Sequence, residues 1–599
     1  MLKAKGLLKS HSNGQHGSLI KIAYTSILRT IIVFVFSVSG FAQESSLSGK
    51  VKDTNGKPLI GAHINITKLQ KSAVTDANGN YSIRGILVDS CFIHISYMGY
   101  KSVEQLIKLK KGKIINVDFA LQEELAELDD VVITSKSKIQ NIKESVASVS
   151  VLNTKELYAQ NNNTSDIIKQ ISGVNVRQTG GFGSSAEIFI NGMSGKQIKF
   201  FLDGVPLSYY GAGLGLNVIP VNLMQRIEVY KGVVPVDLGA DALGGGINII
   251  PRKSYSDYLD VSYSFGSFNT HKANANGQLI NSKINTLFGV NSFYNHSDNN
   301  YKVDIEIPDE FGNPNPATVR RFHDDFTNYM LSLYAGVYDK SYADRLIINA
   351  RFSGLEDDVQ HNAIMAQPYG EVTYDENTFG LSASYEKREL LQNLNVKWYI
   401  GSNITKGHFE DASLNAYTWD GQVFDTRPSG GETSSSGNSL QLTSKNAVSR
   451  LNIKYAPWNN GQFTFNAFTS WFHRVGEDPI AEEFYGEDYF ANPTKLFKNA
   501  LGLAYEHVFK DKITSYTAVK HFMLDADGYS IENLNFLLNT QSASNIGVSQ
   551  SFKYEISSHL LTKASYEYAT RLPDEFELFG DFILVRPNPF LKPEQSHKY

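Results

Sequence analysis

Apolar and polar residues alternate with a period of two along most of this chain, a pattern typical of β-strands. In the first part, Ser45–Leu121, short alternating runs are separated by the turn dipeptides Asn55-Gly56 and Asn78-Gly79. Asn-Gly pairs supply the positive φ angles that tight hairpins need. The pattern predicts a small β-sandwich, with Asp76, Asn78 and Asn80 in a hairpin turn rather than a calcium loop, since Leu87 stands where that loop needs a glutamate.

Residues 140–252 change character and indicate a mixed α/β segment. Ile167, Ile168 and Ile171 share one helical face, with Thr164 as the N-cap and Gly173 as the stop. The dense glycines of this segment fit tight turns and close backbone packing better than a phosphate loop, because no strand-then-helix unit brackets them. Short strands are predicted at Glu187–Ile190, Lys199–Leu202, Arg226–Tyr230 and Gly246–Ile250.

From about Tyr255 onward the pattern predicts long strands with one aromatic-rich face and one polar face. Leu259, Val261, Tyr263 and Phe265, for example, alternate with polar residues. Such faces fit strands that contact lipid outside and a polar lumen inside. Strands in a bilayer must close into a barrel, because each unpaired backbone group there costs several kcal/mol. The pattern favours a transmembrane antiparallel β-barrel over a soluble sandwich or propeller.

The connectors between these strands differ in length. Short turns at Asn281-Ser282 and Gln392-Asn393 contrast with polar stretches at His408–Asn446 and Val475–Thr494. This asymmetry is expected when tight periplasmic turns lie on one rim and long outer loops on the other. Aromatic residues in the long stretches are candidate ligand contacts, although each is equally consistent with a loop-packing anchor. They are Tyr417, Trp419, Tyr485, Tyr489 and Phe490.

Composition excludes several function classes. The 599 residues include 61 acidic and 56 basic side chains, a net charge of −5, which argues against a nucleic-acid binder. Cys91 is the single cysteine, so the sequence predicts no internal disulfide and no multi-cysteine metal site. We find no nucleophile elbow and no His-Glu-x-x-His pair, and we therefore predict neither an enzyme nor a bound cofactor.

The N-terminus predicts an export signal. Basic residues precede the apolar run Ile31–Phe36, and the small-x-small sequence Gly40-Phe41-Ala42 follows. The apolar stretch is shorter than the ~20 residues that a membrane-spanning helix needs. We therefore expect a signal peptide at residues 1–42 rather than a transmembrane anchor.

An acidic linker, Glu123–Asp130, is followed by the β-branched run Val131-Val132-Ile133-Thr134. A segment of this kind is able to pair with the exposed sheet edge of another protein. From the residues alone, a linker strand that belongs to the preceding sandwich is an equal interpretation.

Several motifs together resemble two known families. Residues 43–124 resemble the carboxypeptidase regulatory-like domain, through Gly49-x-Val51-x-Asp53-x-x-Gly56-x-Pro58-Leu59-x-Gly61-Ala62 and Thr75-Asp76-x-x-Gly79-x-Tyr81. The rest of the mature chain resembles a TonB-dependent outer-membrane receptor. The motifs that carry this second resemblance are Ile190-Asn191-Gly192-Met193, Leu202-Asp203-Gly204-Val205-Pro206-Leu207, Arg226–Gly232, Leu238–Ile250, Arg571-Leu572-Pro573-x-Glu575 and Asn588-Pro589-x-Leu591-Lys592-Pro593-Glu594.

The resemblance implies a mainly β fold with three parts. These are the N-terminal β-sandwich at 43–124, a small α/β plug domain at 140–252 and a transmembrane barrel at 253–599. Residues 125–139 become a linker with a TonB box at Asp130, Val131, Val132, Ile133 and Thr134, and Arg226 and Glu228 become the expected plug–barrel contact. We count about a dozen strands after Arg252 against the ~22 of the family, and Pro587–Pro593 is too rich in proline for a final strand. We therefore expect an incomplete, C-terminally truncated barrel.

The resemblance also implies a function. We expect energised uptake of a scarce ligand across the outer membrane of a Gram-negative bacterium, driven by the inner-membrane TonB complex. A ferric siderophore or another metal complex is the expected cargo by analogy, and a glycan, cobalamin or a peptide are alternatives. A passive or adhesive barrel that uses the sandwich as a docking module is the competing interpretation, although a diffusion porin needs neither plug nor box. Expected partners are TonB, outer-membrane lipid and a small extracellular ligand, with no nucleic acid.

Overall fold

The computed structural model describes residues 45–122 and 137–599, apart from short gaps at 67–68, 70, 87, 89, 98–99, 110–112, 159, 161, 240, 309–310, 312, 363–364, 533–534, 558–559, 581–584 and 586. The chain divides into two compact units, Met1–Ser135 and Lys136–Tyr599. The expected signal peptide at 1–42 lies outside the described residues, as does the candidate TonB box.

The first unit is a β-sandwich, as predicted. One sheet has the order β4-β1-β7 with β8 also paired to β1, and the other has the order β3-β2-β5-β6. Their inward apolar residues, including Leu47, Ile64 and Ile93, share one buried core, and Cys91 is buried with them. The strands are β1 Ser45–Asp53, β2 His63–Ile66, β3 Lys71–Val74, β4 Asn80–Ile86, β5 Ser90–Tyr97, β6 Tyr100–Lys108, β7 Ile114–Asn116 and β8 Phe119–Leu121.

The Asp76 loop of this sandwich is a hairpin turn. The Asp76 carboxylate accepts hydrogen bonds from the backbone N–H groups of Asn78 and Asn80 at 2.9 and 2.8 Å. Gly79 has a φ of 75°, which only glycine adopts without strain. The loop's own donors therefore occupy the carboxylate.

The segment expected to be a plug forms a small mixed sheet with the order β13-β12-β15-β14-β9, next to a β10–β11 hairpin. β12 and β15 are parallel, and the other pairs are antiparallel. Its strands and helices are α1 Lys138–Lys143, β9 Val149–Asn153, α2 Thr164–Ile168, β10 Val174–Gln178, β11 Ala186–Ile190, β12 Ile198–Leu202, β13 Val205–Pro206, β14 Met224–Lys231 and β15 Gly245–Pro251, with short 3-10 helices at Lys155–Leu157, Gly195–Gln197, Leu207–Tyr210, Ala212–Leu214, Val221–Leu223 and Val236–Leu238.

One local prediction in this sheet was wrong. Asn163, not Thr164, is the N-cap of α2, and Thr164 is the first helical residue. The Thr164 hydroxyl instead donates a hydrogen bond to the backbone carbonyl of Ile219 at 2.7 Å. The hydroxyl therefore bonds a residue distant in sequence and does not cap the helix. The apolar face of the helix is as predicted, because Ile167, Ile168 and Ile171 are buried.

The C-terminal region forms one antiparallel sheet of 14 strands, more than the dozen predicted. Its order is β16-β17-β18-β21-β22-β23-β24-β27-β28-β29-β30-β31-β32-β33, and β19–β20 and β25–β26 are separate hairpins. The bounds are β16 Tyr258–Gly266, β17 Thr270–Asn281, β18 Thr286–Ser297, β19 Lys302–Pro308, β20 Pro314–Arg320, β21 Phe326–Tyr338, β22 Arg345–Asp358, β23 Thr373–Leu391, β24 Leu394–Asp411, β25 Asn415–Tyr417, β26 Val423–Thr426, β27 Asn438–Trp458, β28 Gly461–Glu477, α3 Pro479–Tyr485, β29 Thr494–Phe509, β30 Ile513–Glu532, β31 Asn535–Ser557, β32 Leu560–Arg571, α4 Glu575–Phe579 and β33 Glu594–Lys598.

The two faces of this barrel sheet differ in the way the alternation predicts. Leu259 is 77 % exposed on the outer face, and Phe265 and Ile348 are exposed there too. Inward-facing polar residues such as Asn403 and Asn466 are buried against the plug segment. The mainly β fold, with a barrel sheet around a small α/β domain, is confirmed.

Connector lengths alternate along most of the barrel sheet, although the short connector 267–269 lies at the same rim as the long loops. The turns at 282–285, 339–344, 392–393, 459–460 and 510–512 lie at one rim, and the loops at 298–325, 359–372, 412–437, 478–493 and 572–593 lie at the other. The predicted long stretches are shortened by strand extension, because β24 continues to Asp411 and β27 begins at Asn438. Within the described part of the chain, no helix is long and apolar enough to cross a membrane.

The proline-rich stretch near the end of the sequence forms no strand, as predicted. Pro587–Pro593 lies in a connector, but Glu594–Lys598 pairs with β32 as the short antiparallel strand β33. The prolines precede this strand and so remove no hydrogen bond from its ladder.

Candidate functional site

The contact between the plug sheet and the inner face of the barrel is the candidate functional site. Its most buried ionic cluster comes from the barrel, where the Glu567 carboxylate receives Lys520 Nζ at 2.7 Å and Lys598 Nζ at 3.0 Å. The same ammonium groups donate to plug carbonyls, Lys520 to Val234 at 2.7 Å and Lys598 to Ala242 at 2.7 Å. The cluster contains two cations and one anion, and backbone oxygens of the plug provide further hydrogen-bond acceptors for the two cations.

A second contact surrounds the Asp203-Gly204 turn. Asp203 and Gly204 have φ angles of 48° and 81°, so the β12–β13 hairpin turns within two residues. The barrel's Arg450 guanidinium lies directly against Gly204 and donates to the backbone carbonyl of Asp203 at 3.1 Å and to that of Asp237. The turn motif therefore has a tertiary reason, because any side chain at 204 would occupy the space of the guanidinium.

Ion pairs extend this contact. Lys253 Nζ lies 3.1 Å from Asp203 and 2.5 Å from the barrel's Glu386, and Lys454 Nζ lies 2.5 Å from Asp237. Burial opposes the ionisation of Asp203, but the surrounding cations outweigh it and lower its pKa to about 2. The carboxylate therefore remains charged at physiological pH.

Two glycine-containing loops of the plug also contact the barrel. The first, Gln178–Ser185, is held by paired hydrogen bonds between the Phe182 backbone and the Asn299 side chain, both 2.9 Å. The second, Ser208–Leu216, donates from Ala212 N–H to Glu376 at 2.6 Å. Both loops therefore have direct partners on barrel strands or connectors.

Glycine permits the closest approach in the second loop. A Cβ on Gly213 would stand 2.9 Å from the backbone of Gly354 in β22, and the barrel's Asn328 amide donates to the Gly213 carbonyl at 3.0 Å. The glycine-dense sequence thus reflects backbone-to-backbone packing, as expected.

Arg226 and Glu228, the predicted plug–barrel pair, are buried in β14. Arg226 Nε lies 2.8 Å from Glu228, whose other oxygen accepts from Tyr230 at 2.9 Å and from Asn248 at 3.2 Å. Asn248 in turn accepts from Gly204 N–H at 3.0 Å, which links the pair to the turn beneath Arg450. These hydrogen-bond partners are all plug residues, so a role at the barrel is indirect and stays a prediction.

The aromatic candidates occupy different environments. Trp419 is only 6 % exposed, and Tyr489 and Phe490 are buried with Leu440 in one apolar cluster. Tyr417 is partly exposed and donates its hydroxyl hydrogen bond to Glu371. These surroundings favour loop packing for the three buried residues, and ligand contact stays a prediction for the whole set. The side chain of Tyr485 lies outside the part of the chain that the structure describes.

Sequence reasoning missed Lys520, Glu567, Lys598 and Arg450. They come from four different strands, and each is one polar residue among many on an inward face. The sequence pattern does place a long charged side chain on the inward face of a predicted strand. Such a side chain alone does not identify the residue that it pairs with. In the described residues, no group of three histidine, cysteine or carboxylate side chains is arranged to hold a metal ion.

Comparison with known proteins identifies two domains. Residues 141–246 match the TonB-dependent Receptor Plug Domain, and residues 47–133 match the CarboxypepD_reg-like domain. The chain is 35 % identical over 173 residues to the vitamin B12 transporter BtuB of Vibrio vulnificus strain CMCP6, covering 27 % of this chain and 28 % of that protein. It is 26 % identical over 300 residues to BtuB of Vibrio cholerae serotype O1 strain O395, covering 48 % and 46 %. The chain thus spans less than half the length of these relatives.

Solved structures agree in fold. The copper transporter OprC superimposes with a TM-score of 0.57 at 14 % identity, over 77 % of this chain and 68 % of that one. The siderophore receptor PiuA of Acinetobacter baumannii superimposes with a TM-score of 0.52 at 11 % identity, over 76 % and 69 %. A plug domain, a regulatory-like domain and this barrel fold occur together in one chain. The chain therefore combines the plug domain of TonB-dependent receptors with a CarboxypepD_reg-like domain, and its fold is similar to that of the transporter OprC and the receptor PiuA.

Proposed function

We propose that this protein takes part in the TonB-energised uptake of a small metal complex, with a ferric siderophore as the first cargo to test. The observation that carries the proposal is the ionic contact between plug and barrel, in which Lys520 and Lys598 hold plug carbonyls from the barrel wall. A plug held by buried charged groups obstructs the barrel, and its displacement requires work that ligand diffusion does not supply. A passive pore has no use for such a contact.

In this mechanism the ligand docks above the loops Gln178–Ser185 and Ser208–Leu216. Both loops contact barrel residues directly, through Asn299 and Glu376, so an occupied site has a physical connection to the plug. TonB then pairs with Asp130–Thr134 by strand addition, and force from the proton gradient shifts the plug. Arg226 and Glu228 would transmit that force within β14, through Asn248 to the Gly204 turn.

The relatives support the class of cargo. Their names specify vitamin B12, copper and a siderophore, all small species rather than polymers. Tyr417, Trp419, Tyr485, Tyr489 and Phe490 remain the proposed aromatic contacts, with the first the most accessible of those whose side chains are described.

Two measurements test the proposal. We expect cells that express the full-length gene product to accumulate a radiolabelled ferric siderophore, and a protonophore to abolish accumulation while surface binding persists. We also expect iron starvation to induce the gene. Accumulation that persists without a proton gradient would refute energised uptake, and induction by a polysaccharide instead of iron starvation would refute the cargo class.

A further inference from the structure

Three long loops at one rim of the barrel meet at a single histidine. We name them loop A (298–325), loop B (359–372) and loop C (412–437). His361 of loop B contacts the buried Arg321 of loop A, with Nε2 3.0 Å from Arg321 Nη2. Its ring also packs against the buried Trp419 of loop C, with 5.9 Å between ring centroids.

The partners of His361 fix its protonation state. Nδ1 lies 2.6 Å from the Asn362 carbonyl, an acceptor, so Nδ1 carries the hydrogen. Nε2 faces an arginine N–H, and arginine has no acceptor, so Nε2 must carry a lone pair. The arrangement therefore requires a neutral imidazole, because an imidazolium would place one N–H against another and add a second cation beside Arg321.

Three further residues hold the guanidinium of Arg321 in place. Besides His361 it contacts Asp324 at 2.6 Å, Gln360 Oε1 at 3.4 Å and the Tyr301 hydroxyl, and it lies over the Tyr301 ring. Four partners around a buried guanidinium leave it little room to retreat when the histidine gains a charge.

We propose that His361 is a protonation-sensitive joint that holds loops A, B and C together at neutral pH and releases them when its imidazole is protonated. This device goes beyond transport itself. If the uptake proposal also holds, cargo docking among these loops weakens in acid, and that consequence alone depends on the proposed function.

The pH window follows from linkage. Burial lowers the pKa of His361 below its ordinary value of ~6.5, and the Arg321 charge lowers it further, against the Asn362 carbonyl. A histidine that is neutral in the assembled loops contributes its full stabilisation above ~6.5 and loses it as the pH falls below that value.

Other groups around the joint titrate with the opposite sign. Burial raises the pKa of Asp324 to about 7. Burial lowers the pKa of His323, but the neighbouring Asp358 carboxylate outweighs it and raises that pKa above its ordinary value, so both groups favour the assembled loops as the pH falls. A wild-type pH profile alone therefore mixes several contributions, and the His361 contribution is the difference from a variant that cannot titrate there. The charged groups in this neighbourhood are Arg321, His323, Asp324, Asp325, Asp357, Asp358, Glu371 and Glu432.

The test is hydrogen–deuterium exchange on the full chain in detergent micelles, at pH 7.5 and 5.0, corrected for intrinsic exchange rates. Gln places an acceptor oxygen near the position of Nε2 without a titratable group. We expect the change in protection of peptides from loops B and C between pH 7.5 and 5.0 to differ at least five-fold between the wild type and His361→Gln, with the wild type the less protected of the two at pH 5.0. His408→Gln, a matched control at a half-exposed histidine near the same rim, should keep the wild-type response.

The same change in protection between pH 7.5 and 5.0 in the wild type and in His361→Gln would overturn the proposal. If His361→Gln does not fold, the test is the fluorescence emission of Trp419. It is measured in a protein that keeps His361 and in which Trp398, Trp458 and Trp471 are each replaced by Phe. Quenching between pH 7.5 and 5.0 supports a charged histidine against the indole, and constant emission overturns it. Neither measurement requires ligand or TonB, so failure here is separate from failure of the uptake proposal.

Discussion

The guanidinium group of Arg450 lies against the Cα of Gly204, so that a Cβ added to this glycine would stand 2.5 Å from Arg450 Cζ. The charged side chain of a barrel strand and the backbone of a two-residue plug turn thus pack into the same small volume. The arginine also donates to the Asp203 carbonyl, so it cannot withdraw without losing that bond. This relationship makes the seating of the plug sensitive to a single methyl group.

We predict that Gly204→Ala loosens the plug. The positive φ of 81° disfavours alanine, and the methyl group displaces a buried guanidinium. Gly192→Ala is the matched control, because Gly192 has a φ of 86° with open space around the added Cβ. We expect Gly204→Ala to cost about 1–3 kcal/mol more than Gly192→Ala, measured by denaturant titration with limited proteolysis of the plug. If the two variants lose the same free energy of unfolding, the Arg450 side chain is able to move away from the added methyl group.

Glu567 should matter more than its neighbours in the buried cluster. Glu567→Gln leaves the ammonium groups of Lys520 and Lys598 facing each other without an anion, and the expected cost is about 3–5 kcal/mol in the free energy of unfolding. Lys598→Met should cost less, because it leaves one balanced pair between Lys520 and Glu567.

The control for the buried cluster is an exposed pair in the plug. Arg177 and Glu187 are 2.6 Å apart, but the Arg177 side chain is 70 % exposed. Glu187→Gln should therefore cost at most about 1 kcal/mol. A Glu567→Gln variant as stable as Glu187→Gln would show that the buried cluster is not what holds the plug.

Phe490 separates loop packing from ligand contact. Phe490→Ala removes a buried ring from the cluster with Tyr489 and Leu440, and we expect a loss of about 3–5 kcal/mol in the local stability of the loop at 478–493, measured by hydrogen exchange. Phe484→Ala is the control on the same loop, since its ring is 54 % exposed. Unchanged protection with weakened siderophore binding would instead identify Phe490 as a ligand contact.

Val132 tests the candidate TonB box, which lies outside the described residues. Proline lacks the backbone N–H that strand pairing uses and adopts a fixed φ. In the full-length receptor we expect Val132→Pro to abolish energised uptake while surface binding of the ligand is retained, whereas Val132→Ile should transport normally. Normal accumulation of ligand by Val132→Pro would exclude this segment as the coupling strand.

The sequence by itself determined the order of the parts and the faces of the strands. A period of two depends only on which residues tolerate lipid and which need water, so Leu259, Val261 and Phe265 could be placed on the outer face from the pattern alone. Turn dipeptides and glycine-rich motifs likewise carry their backbone preferences locally, as at Gly79 and Gly204.

Only the tertiary structure decided which charged side chains meet. Lys520, Glu567 and Lys598 lie on separate strands. The alternation of apolar and polar residues predicts that each side chain points inward, but it does not predict the strand register that brings the three together. The same holds for Arg321, His361 and Trp419, which three loops deliver to one point. Periodicity is a local consequence of solvent preference, whereas these contacts depend on hydrogen-bond register and loop closure across the whole sheet.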